Sequence, residues 1–409
     1  MSTEYKHLGN GSACLFFRTL LVSLLLGCPG WAVAQGNPKL VVDIVYAGLE
    51  EAPHIPLTLL EQPAYENGWL GAQLGLNDNQ TTGSFLGHEY QLQSVLAAEG
   101  EVLADEVLAA LSGAESSIVI ADVEVDELLS LADALPDALI FNIRAPDDSL
   151  RNDDCRANVL HVTPSRAMRA DGLAQYLVWK RWNELVLVTG RHERDRLYAD
   201  AFRRSVNRYG LDLVEEKNWT SVPGARRTDS GHHALQQEVP TFSRFEDHDV
   251  VIVADETDEF GEYLSYRTTD PRPVAGTQGL IGTSWHRSQE QWGATQIHRR
   301  FTKMAERNMS ERDYAAWAAM RSIGEAVTQT SSASYEKIRE FVLSENFKLA
   351  GFKGVPLTYR TWNGQLRQPI LVAAPRMLIS VSPQDGFLHQ LTVLDSLGFD
   401  EPESGCEIF

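Results

Sequence analysis

Cysteine is scarce in this chain, with four in 409 residues, and two of them, Cys14 and Cys28, fall in a stretch that reads as an export leader. Lys6 and Arg18 precede an apolar run from Thr19 to Gly27, and Ala32-Val33-Ala34 supplies the small residues of a cleavage site. Residues 1–34 are therefore expected to be a signal peptide cut after Ala34. Leu25-Leu26-Gly27-Cys28 also has the outline of a lipobox, the alternative in which Cys28 carries a lipid and begins the mature protein. Beyond the leader only Cys155 and Cys406 remain. An even pair in an exported protein predicts one disulfide, closing a loop of about 250 residues and restraining the unfolded state by a few kcal/mol. The alternative is two separate thiols.

Long apolar runs are lacking as well. No stretch after the leader approaches the roughly 20 apolar residues that a spanning helix needs, so the mature protein is expected to be soluble and periplasmic. Basic residues are outnumbered, 36 Lys and Arg against 56 Asp and Glu, for a net charge of −20. Such a field repels nucleic acid and anionic membrane surfaces, although a cleft can still gather arginines locally. Also missing are a Gly-x-Ser-x-Gly elbow, a phosphate-binding glycine loop, a dinucleotide fingerprint and a His-Glu-x-x-His helix. Nothing in the residues argues for turnover, so a non-enzyme is expected. The remaining alternative is an enzyme working through Asp255 and Glu256.

What the sequence does have is alternation. Apolar, β-branched runs at Leu40 to Tyr46, Tyr90 to Val95, Ser117 to Ala121, Ala138 to Asn142, Leu185 to Thr189, Leu211 to Glu216, Val250 to Ala254 and Pro273 to Gly276 read as strands. Helical patterns at Gly100 to Ser112, Arg166 to Trp182 and Asp195 to Tyr209 lie between them. This is the pattern of an α/β fold with parallel sheets covered on both faces. The length exceeds one ordinary core, so two lobes are expected. Pro164-Ser165 marks a first crossover, with Ser165 capping the helix that follows. A second crossover is placed at Gly276 to Thr283 and a third near Phe347 to Gly354. An N-terminal lobe of 38–162 plus 279–346 and a C-terminal lobe of 163–278 plus 347–395 follow, with 396–409 as a tail. Leu357 to Trp362 and Ile370 to Ala374 read as a hairpin across Asn363-Gly364.

That order of elements resembles the type I periplasmic binding proteins, two Rossmann-like lobes with three hinge crossovers, and especially their branched-chain amino-acid branch. A closer resemblance is carried by Phe141-Asn142-Ile143-Arg144-Ala145-Pro146-Asp147-Asp148, Asp154-Cys155-Arg156-Ala157-Asn158, Gln175-Tyr176-Leu177-Val178-Trp179-Lys180-Arg181-Trp182, Gly351-Phe352-Lys353-Gly354 and Gly364-Gln365-Leu366-Arg367-Gln368-Pro369. These segments are similar to the ABC-type binding proteins found with alcohol dehydrogenase systems that depend on pyrroloquinoline quinone (PQQ). The resemblance implies a monomeric solute-binding protein with no required cofactor. Its ligand would be PQQ, and its partner an ABC permease or the periplasmic dehydrogenase. The alternative is a sensor or assembly partner of that dehydrogenase without a transport step. One departure from the amino-acid branch is chemical. Where that branch places small hydroxyl residues for a ligand carboxylate, this chain has Ala121-Asp122-Val123-Glu124-Val125-Asp126, which would repel one, so a simple α-amino acid is not the expected guest.

In this architecture ligands meet the carboxyl ends of strands on facing lobes. By position the candidate contacts are Tyr46 after the first strand, Asn142 and Arg144 after the fourth, and Arg191 after the strand ending at Thr189. Asp255, Glu256 and Thr277 follow later strands, and the run Trp285-His286-Arg287 comes next. A ring to stack and arginines for carboxylates would suit a planar, polycarboxylated quinone. Each has a plainer reading: Trp285 as inter-lobe packing, Arg144 paired with Asp147 or Asp148, His286 as a hydrogen-bonded structural residue. No metal is expected. His232-His233 with Glu238 has ligand-like spacing but no second cluster, and the acid-rich stretches around Asp122 and Asp147 lack the glycine of a calcium loop.

Overall fold

The computed structural model describes residues 39–50, 66–98, 100–114, 116–220 and 237–407. The expected leader with Cys14 and Cys28, and the His232-His233 pair, lie outside these residues.

The first sheet is five-stranded, in the order β2-β1-β3-β4-β5. Its strands are β1 (Leu40–Leu49), β2 (His88–Ala97), β3 (Ile118–Asp122), β4 (Leu139–Asn142) and β5 (Val159–His161), every pair parallel. The two-residue period of a strand sorts their side chains onto two faces. Ile44, Ile118, Ile120, Leu139, Phe141 and Leu160 pack on one side with Trp317, Met320 and Ile323. Val45, Ala47, Val119, Ala121, Ile140 and Val159 pack on the other with Leu103, Val107, Leu128 and Leu131. Burial on both faces is why the strands read as unbroken apolar runs. On the first of these faces the helices α1 (Trp69–Leu86) and Glu311–Thr330 approach closely. Gly71 makes that possible, since a Cβ there would stand 2.0 Å from the carbonyl oxygen of Asp313.

The second sheet has seven strands in the order β15-β14-β10-β9-β8-β6-β7. Strands β6 (Glu184–Thr189), β7 (Asp212–Asn218), β8 (Val250–Ala254), β9 (Val274–Gly276) and β10 (Leu280–Thr283) run parallel, and β14 (Ile370–Ala374) and β15 (Met377–Ser382) close it antiparallel. Helices α4 (Arg166–Lys180) and α5 (Glu193–Tyr209) cover one face through Leu173, Leu177, Phe202 and Val206. Trp219, stacked at 4.8 Å on Phe260, covers the other. Gly210, at φ 69°, stops α5 in the left-handed conformation that glycine adopts freely.

At the first crossover Ser165 caps α4, its hydroxyl accepting from the Met168 amide at 3.2 Å. The other two boundaries move. Leu280–Thr283 is a strand of the second sheet, paired to β9 and β14, so the chain crosses after Thr283 rather than at 279. Leu349, Leu357, Tyr359 and Leu366 pack in the first lobe's core, so the return crossing falls between Arg367 and Ile370 rather than at 347. The hairpin across Asn363-Gly364 joins β12 (Pro356–Tyr359) to β13 (Leu366–Arg367), while Ile370–Ala374 pairs with β15. Pro369, which has no N–H to give a ladder, separates the two runs. Cys155 and Cys406 are bonded, S–S 2.07 Å, across 251 residues of sequence.

Candidate functional site

Between the lobes lies a cleft of about 660 Å³. Four helix N-terminal turns converge on it, and each brings a charge. From the first lobe come Glu124, at the position before α3 (Val125–Ala134), and Glu311 and Arg312 at the start of the Glu311–Thr330 helix, which is set by the Ser310/Asp313 capping box. From the second lobe come Arg169 on α4 and Arg194 on α5. Arg144 lines the cleft beyond β4, and Asp255, Glu256, Asp258 and Thr277 line it beyond β8 and β9.

The charges are knitted together, and several pairs cross between lobes. Arg169 Nη1 meets Glu311 Oε2 at 2.8 Å, and Arg194 stands 3.7 Å from both Glu124 and Glu256. Arg166, 2% exposed, grips Glu256 through Nε and Nη2 at 3.0 and 2.8 Å, and reaches Asp147 at 2.7 Å. Burial alone would raise the Glu311 carboxyl, but Arg169 and the donors at Thr283 and Ser284 outweigh it and hold the group below its ordinary range.

The expected contacts divide. Arg144, Asp255, Glu256 and Thr277 line the cleft. Arg144 is ion-paired, to Glu124 at 2.8 Å and Asp122 at 3.8 Å rather than to Asp147 or Asp148. The Asp255 carboxylate is occupied by the amides of Glu259, Phe260 and Gly261 at 2.9, 2.8 and 2.7 Å, so it shapes the loop. The Thr277 hydroxyl is likewise engaged, with Val253 O and Gln278 Oε1.

The other expected contacts are turned away. Tyr46 is buried against Trp69 and donates to Asp122 Oδ2 at 2.6 Å; burial first, then Asp122, pushes its phenol far up. Asn142, fully buried, spends its Oδ1 on the Arg144 and Ala145 amides. Arg191 forms an outer bidentate pair with Glu259, which, with the neighbouring His192, holds that carboxyl down to about 2. Trp285 belongs to the first lobe's core, stacked on Tyr314 at 4.4 Å with planes 5° apart. His286 is tied to Ser288 at 2.6 Å, its structural reading, and exposed Arg287 donates to Pro375 O.

Sequence position missed Arg169, Arg194, Tyr198, Glu311 and Arg312. The signal was present in part: Ser165 and the Ser310-x-x-Asp313 box mark helix starts, and in a two-lobe parallel fold those starts face the same cleft as the strand ends. Two of the missed residues carry polar atoms with no hydrogen-bond partner among the described residues, Arg169 Nε and Tyr198 Oη. Tyr198 is 3% exposed; burial and then Glu256 raise its phenol, against the pull of Arg169. Leaving such a group unpaired costs about 1–3 kcal/mol, and both side chains border the cleft.

No protein-family profile matches the chain, and no curated protein matches it in sequence. Solved structures do. A branched chain amino acid ABC transporter periplasmic ligand-binding protein from Burkholderia xenovorans LB400 superposes with TM-score 0.67 at 11% identity, covering 90% of this chain and 100% of that one. The closed conformation of a leucine-, isoleucine-, valine-, threonine- and alanine-binding protein from Brucella ovis gives 0.65 at 14% identity over 90% and 98%. This is the type I periplasmic binding protein fold. A solute-binding protein of an ABC transporter from R. palustris, in complex with benzoate, has it too, with TM-score 0.61 at 11% identity over 90% and 99%. The type I fold explains why the two sheets meet at their carboxyl ends and why the crossovers lie side by side between them.

Proposed function

We propose that this protein is a periplasmic solute-binding protein that captures a small, carboxylate-bearing molecule between its lobes and passes it unchanged to an ABC permease. The observation that carries the reading is the pair of unsatisfied groups at the cleft, Arg169 Nε and Tyr198 Oη. Arg169 and Tyr198 both line the cleft, and a guanidinium N–H and a phenol O–H are donors that an oxyanion accepts from, charge-assisted bonds of that kind being the strong ones. The cross-lobe pair of Arg169 with Glu311 supports the same reading, because an arriving carboxylate would compete for the guanidinium and so couple capture to the lobe arrangement. The benzoate-bound structure from R. palustris is a precedent in this fold for a planar carboxylate. PQQ is the first candidate ligand, on the resemblance of the motifs and on its carboxylates, with service to a dehydrogenase as the finer part of the proposal. Trp285, stacked on Tyr314 in the first lobe's core, does not offer its ring to the ligand.

The test is a tryptophan-fluorescence titration of the exported protein with PQQ and with benzoate, repeated on Arg169→Ala and Tyr198→Phe. Saturable binding that weakens about 10- to 100-fold in each variant, the worth of a lost charge-assisted bond, is the expected result. Binding that is equally tight in both variants would overturn the assignment of the seat, and failure of every carboxylate tried would overturn the ligand class.

A further inference from the structure

We propose that the C-terminal segment from Asp395 to Cys406 is a lobe tether, and that the Cys155–Cys406 disulfide sets how far the two lobes can move apart. The segment is built into three places in turn. The Asp395 carboxylate, fully buried, accepts from Arg360 Nε at 2.9 Å and Arg367 Nε at 2.8 Å, on the hairpin that leads to the return crossing. Next it is fastened to the second lobe. Ser396 O accepts from Tyr209 on α5, the Gly398 amide donates to Asp171 on α4 at 2.7 Å, and Gly398 O takes Arg208 at 2.6 Å and Arg204 at 3.0 Å. Finally it reaches the first lobe. Ser404 Oγ donates to Arg151 O at 2.9 Å, and Cys406 is bonded to Cys155 in the connection between β4 and β5.

The step between lobes is short. Glu403 Oε2 is held by Arg204 of the second lobe at 2.7 Å, while the next residue, Ser404, is held by the first. Adjacent Cα atoms are about 3.8 Å apart, so in this geometry no slack separates the two anchors. Moving the lobes apart strains the Glu403–Arg204 pair and the turn at Glu401–Glu403, and also the hold of Arg360, on the first-lobe hairpin, on Leu397 O at 2.6 Å and Phe399 O at 3.1 Å. With the disulfide closed, the span from Gly398 to Cys406 cannot exceed about 27 Å even when fully drawn out. With it open, the bonds that hold Ser404–Cys406 to the first lobe among the described residues are that of Ser404 and a weak amide contact from Gly405 to Asn152, while Arg360 keeps its bonds to Asp395, Leu397 and Phe399 further back. Type I lobes are joined by three crossovers; here a fourth link exists that a thiol reductant can undo, since Cys406 is partly exposed.

A disulfide can also act solely by restraining the unfolded state, and the experiment separates the two roles. Bioorthogonal labels at positions 85 and 266, on exposed Phe85 of the first lobe and Tyr266 of the second, report the inter-lobe distance distribution. Three forms of the full exported protein are compared: oxidised, Cys155→Ser/Cys406→Ser, and one with four Gly/Ser residues inserted between Glu403 and Ser404. The insertion keeps the covalent bond and nearly all of its effect on the unfolded chain, yet gives the tether slack. The expected result is a distance distribution at least twice as broad in both altered forms as in the oxidised protein. A thermal transition in the insertion form close to that of the parent would show that it folds. A distribution unchanged by the insertion would overturn the proposal and leave the disulfide a staple against unfolding. The outcome does not depend on what the cleft binds.

Discussion

His161, 1% exposed at the end of β5, should make this protein lose stability as the pH falls through mild acidity. Its state is dictated by Asn142, whose Oδ1 accepts two backbone amides, from Arg144 at 3.0 Å and Ala145 at 2.9 Å. The Asn142 Nδ2 must then donate, and it lies 3.0 Å from His161 Nδ1. That nitrogen is therefore an acceptor, and the ring's one proton sits on Nε2, donated to Leu150 O at 3.1 Å. Protonating Nδ1 would set two donors against each other in a buried site. Burial first, and then the neighbouring Arg151, drive the imidazole well below its usual range. The unfolded chain takes up a proton below about pH 6.5 and the folded chain does not, so His161 costs nothing above that pH. Below it, the protein loses up to about 1.4 kcal/mol per pH unit until the folded-state value is reached. Between pH 7 and pH 5 the loss is about 2 kcal/mol. Urea unfolding of the parent and of His161→Gln at pH 7, 6 and 5 isolates this, because groups common to both proteins cancel. The stability advantage of the parent should shrink by that amount across the range. An advantage that stays constant with pH would refute the neutral, acceptor-bound assignment.

Other perturbations follow from packing. Trp285→Ala should cost about 3–5 kcal/mol in urea unfolding, through loss of the Tyr314 stack, while leaving ligand affinity of the folded protein unchanged; a selective loss of affinity would return Trp285 to the cleft. Gly71→Ala would press a methyl into the Asp313 backbone and should cost about 1–3 kcal/mol; a neutral outcome by thermal melting would mean that the two helices separate freely. Asp395→Asn removes the charge shared by Arg360 and Arg367 and should cost about 3–5 kcal/mol by urea titration. Tyr198→Phe is expected to raise the melting temperature of the ligand-free protein while weakening binding, since the buried hydroxyl costs stability until a ligand meets it.

The fold was legible because its signals are local. Strands buried on both faces must be apolar throughout, Pro164-Ser165 can only end one element and start another, and the two cysteines beyond the expected leader have one another. The lobe boundaries were less so. Leu280–Thr283 is a four-residue strand, Leu-Ile-Gly-Thr, whose identity comes from its neighbours β9 and β14, and nothing in its own residues reveals them. At the site, position along a strand told which end of the sheet a residue occupies but not which way its side chain turns. Tyr46 turns inward because Asp122 waits 2.6 Å from its hydroxyl, and Asn142 because two free amides follow it. Trp285 turns to the core because Tyr314, on a helix distant in sequence, offers a parallel face. The preferences of Tyr46 and Trp285 are contacts between segments far apart in the chain, so only the folded geometry displays them, whereas the turn of Asn142 is made with amides two and three residues on. The same geometry changes the chemistry asked of a ligand. With both expected aromatics packed inside, the proposed ligand would be held in the cleft chiefly by what it donates and accepts, beside the apolar contacts of Ile143, Pro146 and Ile281.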